Sequence, residues 1–199
     1  MLTDPSVTDK RLLILRAALR LLAGCGFHGF SMKQLADEAG VAAGTLYLYF
    51  KDRDALIRQL HQEIIQTFAQ HVLAGHDPDK PLQQQYRDLC QNVWLFCKTY
   101  PEMLLSKGQF DHLPPDVLRD HFLSAWQAFG PLRVLFDKCR EQGMIKPLPD
   151  EILVTLGFET FINLARKYHL GLVSEQDMDV NEIIEATWHA IALDTRNRI

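Results

Sequence analysis

The chain has 199 residues, 47% of them hydrophobic and 23% charged, with a formal net charge of −4 at neutral pH. Those proportions suit a globular chain with a sizeable core, and nine Pro and eleven Gly are too few for a low-complexity or collagen-like sequence. There is no apolar run of the roughly 18 residues that a membrane span needs, Met1–Lys10 lacks the basic-then-apolar layout of a signal peptide, and four cysteines without a Cys-x-x-Cys pair predict reduced thiols, so a cytoplasmic protein with no membrane association is expected.

The apolar spacing predicts an all-α fold. A first helix over about 7–23 is opened by Ser6 and Asp9 as a capping box, repeats Leu12, Leu15, Ala18, Leu19 and Leu22 at the helical period, and stops at Gly24 and Gly26. Ser31 with Gln34 opens a second helix over 32–39, which Gly40 ends. A two-turn helix over 42–49 follows, and Lys51 or Asp52 opens a long helix to about Val72. The clearest break is Gly75-His76-Asp77-Pro78-Asp79-Lys80-Pro81. Helices are expected beyond it at about 82–100, 103–110, 115–141, 150–170 and 180–194, the third kinked or split at Gly130-Pro131. The organisation is then an N-terminal three-helix domain over 1–50, a connecting helix over 51–74 and a C-terminal helical domain over 75–199.

The stretch Ser31–Phe50 carries the function. Two short helices joined by a Gly-containing turn make a helix-turn-helix. Leu35, Ala36, Ala39, Val41, Leu46 and Phe50 form its buried seam, and the small residues Ala42, Ala43 and Gly44 let the second helix approach a groove closely. Tyr47 and Tyr49 can pack their rings while their hydroxyls reach phosphate oxygens. Ser31, Lys33, Lys51 and Arg53 lie where they can add backbone contacts, and Ala43, Gly44 and Thr45 offer only small groups to base edges. Charge supports the assignment: residues 1–60 hold eight Lys/Arg against six Asp/Glu, whereas the remainder holds thirteen against nineteen.

Gly26-Phe27, Ser31, Leu35-Ala36-x-x-Ala39-Gly40-Val41 and Gly44-Thr45-Leu46-Tyr47-x-Tyr49-Phe50-Lys51, followed by Asp54-Ala55-Leu56, resemble the tetracycline-repressor (TetR) family of transcriptional regulators over residues 8–68. The resemblance implies a homodimer that binds double-stranded, palindromic operator DNA, with the C-terminal helices forming an effector pocket and a dimer interface. It implies phosphate-contact roles for Ser31, Lys33, Thr45, Tyr47, Tyr49, Lys51 and Arg53, and base-edge positions for Ala43 and Gly44. A one-component regulator, acting as a repressor released by a small hydrophobic or aromatic effector, is the expected function. The alternatives are a ligand-blind DNA-binding or adaptor protein, and a helical-bundle enzyme with a vestigial helix-turn-helix.

For the effector, Trp94, Phe110, Trp126 and Phe158 are the candidate lining residues, since apolar clefts between helices are the usual ligand sites. The last two helices are the candidate dimer interface, through Ile152, Leu156, Ile162, Ile184, Trp188 and Ile191. Glu159, inside an apolar run, can meet a cationic ligand or pair with Arg166 or Lys167. Cys90 and Cys97, seven residues apart on one helix, are either a thiol sensor or buried and inert. Asp177-x-Asp179-x-Asn181 opens like a calcium loop, but Glu182 stands where Gly is needed and Trp188 where Glu is needed. No catalytic constellation, metal site or cofactor is expected.

Overall fold

The computed structural model describes residues 2, 9–26, 29–110 and 113–193, without the side chains of 107–109 and 121. Ser6 and Val7 at the start of the first predicted helix, Phe27 and Asp194 lie outside them. Within them the secondary structure is helical, apart from one isolated antiparallel bridge.

The described helices are α1 (Lys10–Cys25), α2 (Met32–Ala39), α3 (Ala43–Tyr49), α4 (Arg53–Val72), α5 (Leu82–Thr99), α6 (Pro101–Phe110), α7 (Pro115–Ala128), α8 (Gly130–Glu141), α9 (Asp150–Gly157), α10 (Glu159–His169) and α11 (Val180–Ile191). Asp9 caps α1, its carboxylate accepting from the Arg11 amide at 2.8 Å. The expected split near Pro131 falls at Phe129, with Pro131 in the first turn of α8, where the missing N–H costs nothing. For the same reason Pro101 begins α6 instead of standing outside it. The single helix expected over 150–170 is two, interrupted at Phe158.

The chain forms two compact units, and their division is not linear in sequence. The first comprises 1–69 with 102–128, so α6 and α7 belong with the N-terminal helices; the second comprises 70–101 with 129–199. The domain start expected at Gly75 therefore does not fall on the division. The Gly/Pro-rich segment is a fastened surface turn: the Asn92 amide donates to the carbonyls of Val72 (2.9 Å) and Ala74 (3.1 Å), and the buried Gln85 amide to those of Pro78 (3.0 Å) and Lys80 (2.7 Å).

In the first unit Ile14, Leu15 and Leu22 of α1, Leu35 of α2, Leu46 of α3 and Leu56, Ile57 and Leu60 of α4 are fully buried. Arg11 of α1 reaches Glu63 of α4 at 2.8 Å and also donates to Gln59. His61 of α4 stacks on Phe110 of α6, ring centroids 4.4 Å apart.

In the second unit the buried Tyr86 of α5 packs against Phe158 and Trp188, both at 5.1 Å between centroids, and donates its hydroxyl to Thr187 at 2.9 Å. Ion pairs Arg87–Glu185, Lys98–Glu175 and Arg140–Asp150 close its rim. The bridge joins Ile145 to Ala192, with Lys146 N–H donating to Ile191 O at 2.8 Å and Leu193 N–H to Met144 O at 2.9 Å. No helix among the described residues is long and apolar enough to cross a membrane.

Candidate nucleic-acid interface

The site is built on α2, the turn after it and α3. Ser31 and Gln34 form the predicted capping box: the Gln34 amide donates to Ser31 Oγ at 3.2 Å, and the Ser31 amide donates to Gln34 Oε1 at 2.8 Å. Gly40 ends α2 with φ +67°, a left-handed conformation that costs side-chain-bearing residues energy. Its N–H donates to Asp37 O, and the Val41 N–H reaches back to Ala36 O at 3.0 Å, closing a Schellman motif. The turn thus satisfies its own backbone and turns the chain sharply into α3. An Arg20–Glu38 pair at 2.8 Å braces α2 against α1.

The inward seam follows expectation at Leu35, Ala36, Leu46 and Phe50, all buried, while Ala39 and Val41 are half-buried. A helix advances about 100° per residue, so with Leu46 and Phe50 inward the opposite ridge of α3 is Gly44 and Leu48. Their exposure agrees. Leu48 is 83% exposed, and Gly44 has no atom within 4 Å of the place a Cβ would take. Tyr47 (57%) and Tyr49 (39%) flank that ridge, Ala43 is exposed and Thr45 is half-buried. Ala42 precedes α3 without a side-chain cap. Lys33 and Lys51 are exposed, with no ion-pair partner among the described residues.

Two of the residues expected to touch phosphates have other work. Arg53 Nη1 donates to the Phe30 carbonyl at 2.8 Å, and its guanidinium lies 4.4 Å from the Phe30 ring centroid. It therefore fastens the start of α4 to the segment before α2, a pairing across 23 residues that no local spacing reveals. Ser31 Oγ lies 3.0 Å from Gln34 Oε1 and points its proton there, in addition to capping α2. Asp52, not Lys51, opens α4, its carboxylate accepting from the Ala55 amide at 2.7 Å. The helical spacing of the sequence already puts Leu48 on the outer face of the second helix beside Ala43, Gly44 and Tyr47, but the expected set of DNA contacts did not include it; its exposure makes it the foremost side chain there.

The four aromatic residues expected around an effector fall in both units, Phe110 and Trp126 in the first and Trp94 and Phe158 in the second. Phe110 is buried on His61, and Phe158 is buried between Tyr86 and Phe136. Trp94 is half-buried, edge-on to Tyr168 at 6.1 Å, and Trp126 is half-buried. The second unit carries an open groove of about 690 Å³ lined by Lys80, Leu82, Lys138 and Met144 among others, and one of about 410 Å³ lined by Thr160, Asn163, Leu164, Lys167 and Ile183. None of the four aromatics lines either groove.

Of the expected interface residues, Ile184, Trp188 and Ile191 are buried in the second unit's own core and leave little surface to share with a partner. Their helix is apolar on the face that meets α5 and α9, which a one-dimensional pattern does not separate from an outer face. Ile152 and Leu156 are exposed and Ile162 is half-buried.

Cys90 and Cys97 are buried, and burial pushes the Cys90 thiol well above its ordinary range, which favours the inert reading. Glu159 lies half-buried in the first turn of α10. The carboxylates of the calcium-like run serve as caps: Asp177 closes a 3-10 turn with Ser174, and Asp179 caps α11. Among the described residues there is no His/Cys/Asp/Glu group able to hold a metal.

Comparison with known proteins places this geometry. Residues 14–60 match the family model for bacterial regulatory proteins of the tetR family, and residues 81–192 match the one for a tetracyclin repressor-like C-terminal domain. An uncharacterized HTH-type transcriptional regulator of Haemophilus influenzae is 32% identical over 186 residues, covering 92% of this chain and 96% of that protein. A TetR-family protein of Vibrio parahaemolyticus superimposes with a TM-score of 0.84 at 37% identity, over 94% of this chain and 100% of that one. The crystal structure of a TetR-family regulator from Haemophilus influenzae gives 0.80 at 30% identity, over 96% and 100%.

Proposed function

The chain belongs to the TetR family of transcriptional regulators, and from that premise we propose that it is a repressor that binds a palindromic operator as a homodimer and is released by a small hydrophobic or aromatic effector. The observation that carries the DNA-binding part is the exposed outer face of α3, where Ala43, Gly44, Tyr47, Leu48 and Tyr49 stand clear of a fully buried Leu46. Tyr47, Tyr49, Lys33 and Lys51 supply hydroxyls and cations to the phosphate backbone, with Thr45 at the flank. Ser31 joins them only by giving up its bond to Gln34 Oε1. Arg53 supports the site from behind.

Two such helices reach successive major grooves on one face of a duplex when they are about 34–36 Å apart. A second copy of the chain supplies the second helix, and the exposed Ile152 and Leu156 with the half-buried Ile162 are the apolar surface for it to cover. An effector that prefers a state with the wrong helix spacing shifts the population away from DNA. Trp94 and Trp126, half-buried, are better placed to sense it than Phe110 and Phe158, which their own neighbours already cover. That same coverage favours a second reading, a DNA-binding protein that answers to no small molecule.

Fluorescence anisotropy at about 150 mM salt tests the DNA part, using the duplex upstream of the protein's own gene and a scrambled control. Specific sites bind about a thousandfold or more tighter than non-specific DNA, and Tyr47→Ala is expected to remove that gap. Equal, weak binding to both duplexes and to fragments selected from the genome would sink the reading. Titrating hydrophobic and aromatic compounds into the bound complex separates the effector-released repressor from the ligand-blind binder.

A further inference from the structure

The most exposed large apolar side chain on the DNA-facing helix is one that the phosphate contacts do not use. Leu48 is 83% exposed, directly opposite the buried Leu46 and Phe50, and the residue one turn before it on the same ridge is Gly44, with open space around it. The foremost side chain on the ridge is therefore an isobutyl group with no donor and no acceptor. On a face that meets a partner, that isobutyl group gains by having its apolar surface covered.

Its neighbours restrict what that partner is. Tyr47 and Tyr49 flank it with hydroxyl-bearing rings, and the nearby helix and turn present Lys33 and Lys51. A lone aliphatic side chain among hydroxyls and cations is too small for a protein-docking patch, which runs to hundreds of Å². It does suit a groove walled by phosphates whose floor carries an apolar group. In the major groove that group is the thymine C5 methyl, and the other base-edge signals there are hydrogen-bond donors and acceptors.

Resting on the operator-binding reading above, we propose that Leu48 is a specificity-determining residue that selects thymine in each half-site through van der Waals contact with its C5 methyl. Leu48 makes no hydrogen bond to the base; it excludes water from the methyl and loses that contact when another base stands there.

The test uses the full-length protein and a duplex enriched by it from a random library. Each thymine is replaced in turn by deoxyuridine, which removes the C5 methyl and leaves the Watson–Crick edge and the O4 acceptor unchanged. Affinities are measured for the wild type and for Leu48→Ala, whose thermal midpoint should match the wild type because the side chain is exposed. At one position of each half-site the loss of the methyl should weaken wild-type binding about fourfold, the equivalent of one buried methyl-sized group. Leu48→Ala should bind the thymine and uracil duplexes equally. A penalty that persists undiminished in Leu48→Ala, or an enriched operator with no methyl-sensitive thymine, overturns the proposal and leaves operator binding standing. Failure of the wild type to enrich any sequence removes operator binding itself, and this proposal with it.

Discussion

A methyl group on Gly157 would meet the Tyr86 hydroxyl at 2.8 Å, and two carbons of that ring at 3.4 and 3.5 Å. Tyr86 cannot simply swing away, because its hydroxyl donates to Thr187, which in turn donates to the Ile184 carbonyl at 2.9 Å, while Phe158 and Trp188 hold its ring. Gly157→Ala is therefore expected to destabilise the protein by about 1–3 kcal/mol, the usual range for an overpacked core. Tyr86→Phe alone should cost about 1 kcal/mol, since it removes one buried hydrogen bond but leaves Thr187 its own acceptor. Removing the hydroxyl also removes the nearest obstacle, so Gly157→Ala should cost markedly less in the Tyr86→Phe background. Denaturant unfolding of the four proteins checks this, and additive costs would show that the clash lies elsewhere. The cysteines give a second residue-scale expectation. Cys25 is exposed, whereas Cys90, Cys97 and Cys139 are buried, and burial raises the Cys139 thiol to about 11 against the opposing pull of Arg140. At pH 8 a thiol reagent should label one cysteine per folded chain and all four after denaturation. Rapid labelling of Cys90 or Cys97 in the folded protein would revive the thiol-sensor reading.

At the level of elements, the two glycines of the helix-turn-helix should behave oppositely. Gly40 has room for a Cβ but sits at φ +67°, so Gly40→Ala is expected to cost about 1–2 kcal/mol through backbone strain. Gly44 also has room, yet it lies inside α3 with helical geometry, where alanine gains about 0.5–1 kcal/mol. Gly44→Ala should therefore raise the thermal midpoint while weakening operator binding, because the new methyl stands on the ridge beside Leu48. A variant that gains stability and keeps full affinity would mean that this ridge does not approach DNA. What could be read from the sequence divides along the same line. The α2 cap, the Gly40 stop and the Leu46/Phe50 seam are interactions over three to five residues, and the spacing revealed each of them. Arg53 on Phe30, Asn92 on the turn carbonyls, and α6–α7 grouping with α1–α4 depend on residues far apart in sequence. A cation beside a helix start opposes the helix dipole and so points to a partner elsewhere, but local spacing does not say which one. Ile184, Trp188 and Ile191 show the same limit: their apolar character is evident from sequence, but whether it is satisfied within the unit or by a second copy is decided by packing.

For the whole molecule, the charge arrangement sets how binding responds to salt. The chain is acidic overall, with a net charge of −4, and much of the positive charge in its first 60 residues is already committed. Arg11 and Arg20 are paired with Glu63 and Glu38, and Arg16 and Arg53 donate to the carbonyls of Leu2 and Phe30. Lys33 and Lys51 are exposed beside α3 with no such commitment, so they are the cations expected to displace counterions from the DNA. Each phosphate neutralised changes the slope of log affinity against log salt by about 0.9. Lys51→Gln should therefore flatten that slope by about 1.8 for a dimer and weaken binding to every sequence alike, whereas Leu48→Ala should change sequence preference and leave the slope unchanged. The acidic remainder adds a further expectation. At about 0.15 M salt the screening length is about 8 Å, so the DNA responds mainly to the lysines in contact with it; at 0.01 M it is about 30 Å, and distant carboxylates begin to repel the duplex. The plot should accordingly bend toward smaller gains in affinity as salt is lowered. Anisotropy titrations from 0.01 to 0.3 M measure both effects. A straight line of unchanged slope in Lys51→Gln would mean that Lys51 makes no phosphate contact and that the acidic surface lies beyond the reach of the DNA even at low salt.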